Sequence, residues 1–140
     1  MGLAELSFDN KKDIKEFIEI SIEEFGLSEI LNLKGRQLSG GQRRKVEIAR
    51  TLAAKPKLIL MDEPFAGIDP IAIEDIKNVL KKLAIKNIGV LITDHNVRET
   101  LEICNQAAII NNGKIIANGN KDELIKNELV KKVYLGNMYR

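Results

Sequence analysis

The chain has 140 residues, enough for one domain with a core of ordinary size. Its 22 basic and 20 acidic residues nearly cancel, which excludes a strongly cationic nucleic-acid coat and an acidic solvating tail. Apolar residues at 44% exclude a disordered chain, no apolar stretch approaches the roughly 18 residues of a membrane span, and the lone Cys104 excludes an internal disulfide framework. Met1 to Asn10 lacks the charge and apolar run of a signal peptide, so a cytoplasmic location is expected.

Helical spacing of Ile14, Phe17, Ile18, Ile22 and Phe25 predicts a helix over Lys11 to Phe25, started by Asp9 or Asn10 and stopped by Gly26. A short turn at Ser28 to Leu31 and a loop at Asn32 to Leu38 follow. Ser39 then caps a second long helix that ends before Pro56. Beyond Pro56 the period changes. Leu58 to Met61 is a continuous apolar run, the pattern of a parallel strand buried on both faces, and Val90 to Thr93 is a second. Between them lies a helix carrying Ile73, Ile76, Val79, Leu80 and Leu83, with Asp69 as cap and Pro70 at its first position. A helix from Asn96 to Ile103 is followed by a hairpin, Ala107 to Ile110 and Lys114 to Ala117, turning at Asn112-Gly113. Two short helices, Lys121 to Lys126 and Glu128 to Leu135, finish the chain. The order strand, helix, strand predicts an α/β fold with at least one parallel pair joined by a crossover.

Three places carry chemistry. Ser39, Gly40, Gly41 and Gln42 open a helix, where free N–H groups and a partial positive charge suit a phosphate, and where glycines let the backbone come close to it. The same string also reads as a plain serine cap and a flexible first turn. Asp62 and Glu63 end a buried strand, where open α/β sheets place ligand chemistry. An aspartate there suits Mg²⁺, and a neighbouring glutamate can orient or deprotonate water; a solvated turn is the plainer reading. His95, the only histidine, follows the second strand, where an imidazole can hydrogen-bond a terminal phosphate or sit idle on the surface.

The ordered set of Leu38 to Gln42, Leu58 to Glu63, Gly67 to Asp69 and His95 resembles the C-terminal half of an ABC-type ATPase domain, a P-loop NTPase. LSGGQ is similar to that family's signature motif, the strand before Glu63 to its Walker B element, Gly67-Ile68-Asp69 to its D-loop, and His95 to its switch histidine. Arg43 to Ala53, Asp62 to Pro70, Thr93 to Leu101 and the ending Val130 to Gly136 most resemble the ATPase subunit of the lipopolysaccharide exporter. Branched-chain amino-acid importer ATPases share an ending of this kind. On this resemblance, residues 1–55 are a helical subdomain portion and residues 56–140 the C-terminal part of the ATPase core.

The resemblance implies ATP and Mg²⁺ as cofactors. Asp62 is implied at the metal, Glu63 and His95 in catalysis, and Ser39, Gly40, Gly41, Gln42 and Asp69 in nucleotide binding. It implies a second ATPase subunit dimerised across the nucleotide, with the signature motif facing the partner's ATP, and membrane-embedded transporter subunits that hold the pair on the cytoplasmic face of the inner membrane. The sequence departs from the family pattern in one respect. No G-x-x-x-x-G-K-[ST] loop is present, since Gly113-Lys114 lacks the earlier glycine and is followed by Ile115. The isolated chain is therefore expected to be inactive, and a non-catalytic role by association stays open beside the ATPase reading. Lys34, Arg36, Arg43, Arg44 and Lys45 form a basic stretch without interleaved aromatics, which reads as a solvated helix face serving phosphate and not as a nucleic-acid site.

Overall fold

Local capping chemistry fixes the first helix. In the computed structural model, which describes residues 7–135, α1 spans Lys11–Phe25. The Asn10 side chain accepts the Asp13 N–H at 2.9 Å. At the other end Gly26 turns left-handed with φ of 61°, and Leu27 N–H returns to the Ile22 carbonyl at 2.9 Å, closing a Schellman motif. The predicted apolar stripe faces inward, with Phe25 buried, while Ile20 off the stripe is half exposed. Phe17 meets Phe8 with ring centroids 5.3 Å apart, and Lys55 Nζ sits 4.1 Å over the Phe8 ring.

The turn Ser28–Ile30 and a second one, Gly35–Gln37 inside the expected loop, are 3-10 in form. Helix α2 spans Gly40–Leu52 and strand β1 Leu58–Asp62. Helix α3, Pro70–Ile85, starts with Pro70 at its first position and buries Ile73, Ile76, Val79, Leu80 and Leu83. Lys77 is also buried on α3, with Nζ 2.8 Å from Glu74 Oε1. Strand β2, Gly89–Thr93, pairs parallel with β1, Leu58 opposite Gly89 and Asp62 opposite Thr93. The predicted parallel pair is present.

Its burial differs from the expectation. Ile59 and Met61 are buried, but Leu60 is 70% exposed, Leu58 56% and Leu91 58%. One face of β1 is covered and the other is open. A continuous apolar run shows that both faces suit burial; it does not supply the layer that would cover the second.

The described residues form two compact units dividing after Thr93. In the second, α4 spans Val97–Ile103, β3 Ala107–Asn111 and β4 Lys114–Gly119. Strands β3 and β4 pair antiparallel through a two-residue turn with φ of 48° at Asn112 and 74° at Gly113, the primed geometry that Asn-Gly favours. Ile109 faces Ala117 and Ile110 faces Ile115, so Ile116 is the extra residue of a bulge, and β4 runs two residues past its expected end. Helices α5, Lys121–Lys126, and α6, Glu128–Val130, follow, and the chain continues as a wide π turn, Lys131–Leu135, where one α-helix was expected. Leu101, Ile109, Leu124 and Val130 make this unit's core. Gly136, the last residue of the quoted ending, lies outside the described residues. No helix among those residues is long and apolar enough to cross a membrane.

Candidate functional site

Helix α2 begins with a capping box. Ser39 Oγ accepts the Gln42 N–H at 3.2 Å, and Gln42 Oε1 accepts the Ser39 N–H at 2.9 Å. The first turn has no acidic side chain. Two glycines follow Ser39 for a reason the sequence reading missed. A Cβ on Gly40 would stand 3.1 Å from the Gly67 carbonyl oxygen, and one on Gly41 would stand 2.5 Å from Ala72 Cβ. Both positions are small because the start of α2 lies against the loop before α3 and that helix's first turn. Close internal packing therefore accounts for Gly41 without appeal to an anion.

Asp69, on the same loop, is exposed and caps α3, its Oδ1 accepting the Ala72 N–H at 3.0 Å. Gly67 has φ of 66°, a left-handed position open to glycine at no cost. The signature-like and D-loop-like segments thus meet within the first unit.

Asp62 and Glu63 stand at the C-terminal end of β1, both exposed. The parallel register sets Asp62 beside Thr93, whose hydroxyl donates to Asp62 Oδ1. Glu63 has left the strand. Its φ of 44° lies in the left-handed region, which costs a side-chain-bearing residue about 1–2 kcal/mol. Three hydrogen bonds hold it there. Its N–H donates to the Thr93 carbonyl at 2.7 Å, and its carbonyl accepts from Ala66 N–H at 3.2 Å and from Arg44 Nη2 at 3.3 Å. Arg44 is also paired with Glu47 at 2.9 Å, and Lys45 with Asp75 at 2.6 Å. These two cations of the basic stretch therefore bind protein groups and are not simply solvated.

Sequence reasoning did not single out Thr93, and it placed Arg44 only in a basic stretch, not beside Glu63. Aligning the two apolar runs end to end would have set Thr93 opposite Met61; the observed register moves it by one residue, to Asp62. No local signal marks Arg44, because its partner lies 19 residues away.

His95 belongs to the second unit. Its side chain is 73% exposed, with Nδ1 3.9 Å from Asp94 Oδ1. The Asp94 carboxylate is itself fully buried and accepts the Asn96 N–H at 2.7 Å, closing an Asx turn ahead of α4.

The donor set at the end of β1 suits a hard divalent cation, which favours one or two carboxylates beside water and phosphate oxygens. Asp62 fits on two grounds. Its carboxylate is exposed, and the Thr93 hydroxyl fixes its orientation.

The chain is similar to known proteins. The family profile described as "ABC transporter" matches residues 4–66, a span that includes Ser39 to Gln42, Asp62 and Glu63. The lipopolysaccharide export system ATP-binding protein LptB of Haemophilus influenzae is 56% identical over 119 residues, covering 85% of this chain and 49% of that protein. LptB of Escherichia coli K12 is 54% identical over the same shares. An ATP-binding cassette of an ABC transporter, solved in its ADP conformation, superposes with a TM-score of 0.79 at 32% identity, over 92% of this chain and 52% of that one. The chain spans about half the length of the relatives it matches. Sequence and fold agree: over about half the length of these relatives, the chain matches the ABC transporter family.

Proposed function

We propose that this chain supplies part of the ATPase motor of an ABC transporter, and that the transporter exports lipopolysaccharide. The substrate reading rests on the two LptB relatives. The mechanistic reading rests chiefly on one observation, the fixed left-handed Glu63 beside Asp62 at the open end of the parallel pair.

In this reading Glu63 accepts a proton from the attacking water, and the bonds from Thr93 and Arg44 keep its backbone in place. Asp62 would hold Mg²⁺, which when bound screens the charge of ATP phosphates. Ser39 to Gln42 meet the ATP of a second ATPase subunit, with Asp69 near the same interface, whereas Asp62, Glu63 and His95 serve the ATP of their own subunit. Residues 1–55 act as the helical subdomain portion and 56–140 as part of the core. Membrane-embedded subunits would anchor the motor on the cytoplasmic face of the inner membrane.

The sequence has no phosphate-cradling loop, so that loop would come from residues outside these 140. Losing three or four charge-assisted hydrogen bonds forfeits on the order of 6 kcal/mol, which turns a micromolar ATP site into one weaker than about 10 mM. Titration calorimetry of the chain alone should accordingly detect no micromolar ATP binding.

The functional test supplies the phosphate loop by co-expression with the N-terminal half of an LptB relative. Glu63→Gln should then lower turnover by roughly 10²-fold or more while ATP is retained, because the amide keeps the shape and cannot take the proton. Turnover at the parent's rate would remove Glu63 from its role.

A second reading, association without catalysis, draws on the exposed leucines of β1 and β2. Its mark would be a stable complex with the N-terminal half and no ATP hydrolysis.

A further inference from the structure

The second unit contains two Asn-Gly pairs, Asn112-Gly113 and Asn118-Gly119. Their chemistry is the same, but the fold gives them opposite surroundings. Asn112 and Gly113 are both exposed at the tip of the hairpin, outside the strand pairing. Among the described residues, neither the Asn112 side-chain amide nor the Gly113 N–H has a hydrogen-bond partner. Gly119, by contrast, is buried in β4 opposite Ala107, and Asn118 is held opposite Ala108. A Cβ on Gly119 would collide with Glu123 of α5, whereas one on Gly113 would meet nothing within 4 Å. One backbone is covered and the other is open.

An asparagine side chain brings its amide carbon within reach of the next residue's backbone nitrogen. Glycine leaves that nitrogen unshielded, having no Cβ, and turns freely enough for the nitrogen to attack. At the hairpin tip, attack requires Asn112 and Gly113 to leave their turn geometry, with φ of 48° and 74°. Only the closing pair, Asn111 with Lys114, has to loosen for that. Exposed loop tips lie at the low end of local opening free energies. The same rotation at Asn118 requires β4 to separate from β3 and Gly119 to leave its cover.

We propose that Asn112 is a site of spontaneous deamidation, with water as co-reactant, and that the fold protects Asn118 from the same reaction. The Gly113 nitrogen gives its proton to hydroxide and bonds to Asn112 Cγ. The bond from Cγ to Nδ2 breaks, and that nitrogen leaves as ammonia, taking a proton from water. The cyclic succinimide so formed then adds water. Breaking its bond from Cγ to the Gly113 nitrogen gives aspartate on the original chain path. Breaking its bond from the Asn112 carbonyl carbon to that nitrogen gives isoaspartate, whose chain runs through Cγ. Aspartate keeps the turn, since Asp-Gly suits the same primed geometry. Isoaspartate adds a backbone carbon to a two-residue turn and loosens the pairing of Asn111 with Lys114. Either product places a carboxylate beside Lys114 and lowers the formal net charge of +2 by one. This reactivity does not depend on the chain binding or hydrolysing ATP.

The test holds the full 140-residue chain at pH 8 and physiological temperature for several weeks, with samples taken for tryptic peptide mapping. Cleavage after Arg98, Lys114 and Lys121 puts the two sites in separate peptides, Glu99 to Lys114 and Ile115 to Lys121. Fragmentation in the mass spectrometer locates the gain of about 1 Da, with Asn105, Asn111 and Asn120 as internal references. In the folded chain, modification at Asn112 should outpace that at Asn118 by at least about tenfold. In guanidinium chloride the two should react within about threefold of each other, because local sequence alone then sets the rate. Gly113→Ala should slow the reaction at Asn112 in the denatured chain too, a result that does not require this variant to fold. No mass gain at Asn112 in the folded chain, comparable folded rates at the two sites, or indifference to Gly113→Ala would overturn the proposal. So would a contrast between the sites that persists unchanged in denaturant, since the fold would then not be its cause.

Discussion

Replacing Gly41 by alanine separates two explanations of the glycine pair. If the glycine served only to let an anion approach the backbone, alanine would be harmless to folding and, inside a helix, would add up to about 1 kcal/mol of stability. The structure gives the opposite sign. The new Cβ would lie 2.5 Å from Ala72 Cβ, more than 1 Å inside the usual carbon contact of about 3.5–4 Å. Both helices must yield, and overpacking of this kind costs about 1–3 kcal/mol. Subtracting the propensity gain leaves a net loss of about 1 kcal/mol, or about 4 °C in Tm for a chain this long. The assay is thermal unfolding followed at 222 nm, at low micromolar protein to limit association. Gly35→Ala is the control, since its Cβ would meet nothing within 4 Å. The double variant Gly41→Ala with Ala72→Gly removes the clash, and should be more stable than the two single losses combined predict. A Gly41→Ala chain as stable as the parent, or a double-variant cycle with no coupling, would refute the packing argument.

Three further outcomes are expected. Ser39→Ala removes the acceptor of the Gln42 N–H and should cost about 1 kcal/mol in the same unfolding assay, whereas Ser39→Asp should keep most of the cap; equal stability of Ser39→Ala and parent would contradict the capping box. Leu60→Lys with Leu91→Glu breaks up the exposed leucine face and should shift sedimentation toward monomer; an unchanged distribution would place self-association elsewhere. Burial pushes the Cys104 thiol above its ordinary value of 9.0, so the folded state keeps its proton longer than the unfolded state does. That contribution is intact below the ordinary value and lost as pH rises through the folded one, so urea midpoints at pH 8 and pH 10 should differ less in Cys104→Ala than in the parent.

Helix ends were legible because their causes are local. Asn10, Ser39 and Asp69 each accept an N–H three residues ahead, and Gly26 supplies a left-handed stop, so a few neighbouring residues contain the whole argument. The Asn112-Gly113 turn was legible for the same reason, but the bulge at Ile116 was not, since it depends on how two strands align. Parallel pairing followed from the order strand, helix, strand. Burial of both faces did not follow, because the sequence of a strand cannot provide the layer above it. Asp62 and Glu63 could be placed at the strand end from spacing alone. The left-handed φ of Glu63 could not, because it is imposed by Thr93 and Arg44 from two other elements. The packing demand at Gly41 was not legible for a related reason. A glycine declares that space is short without saying whether a ligand or the protein itself takes it.

The plain and the functional readings of Ser39 are compatible in this geometry. In the cap its oxygen accepts from Gln42 N–H, which leaves the hydroxyl hydrogen free to donate outward to an anion. The start of α2 is also the part of that helix most tightly tied to the loop after β1. Gly40 and Gly41 rest on Gly67 and Ala72, Arg44 holds the Glu63 carbonyl, and Lys45 pairs with Asp75. These contacts all fall within the first two turns. A ligand that draws Ser39 by even a few tenths of an ångström must therefore move a helix end whose next turn grips the backbone of Glu63. Since that residue already occupies a strained conformation held by three hydrogen bonds, its position is sensitive to the loss of any one of them. The start of α2 and the backbone of Glu63 are thus joined through a single short helix segment.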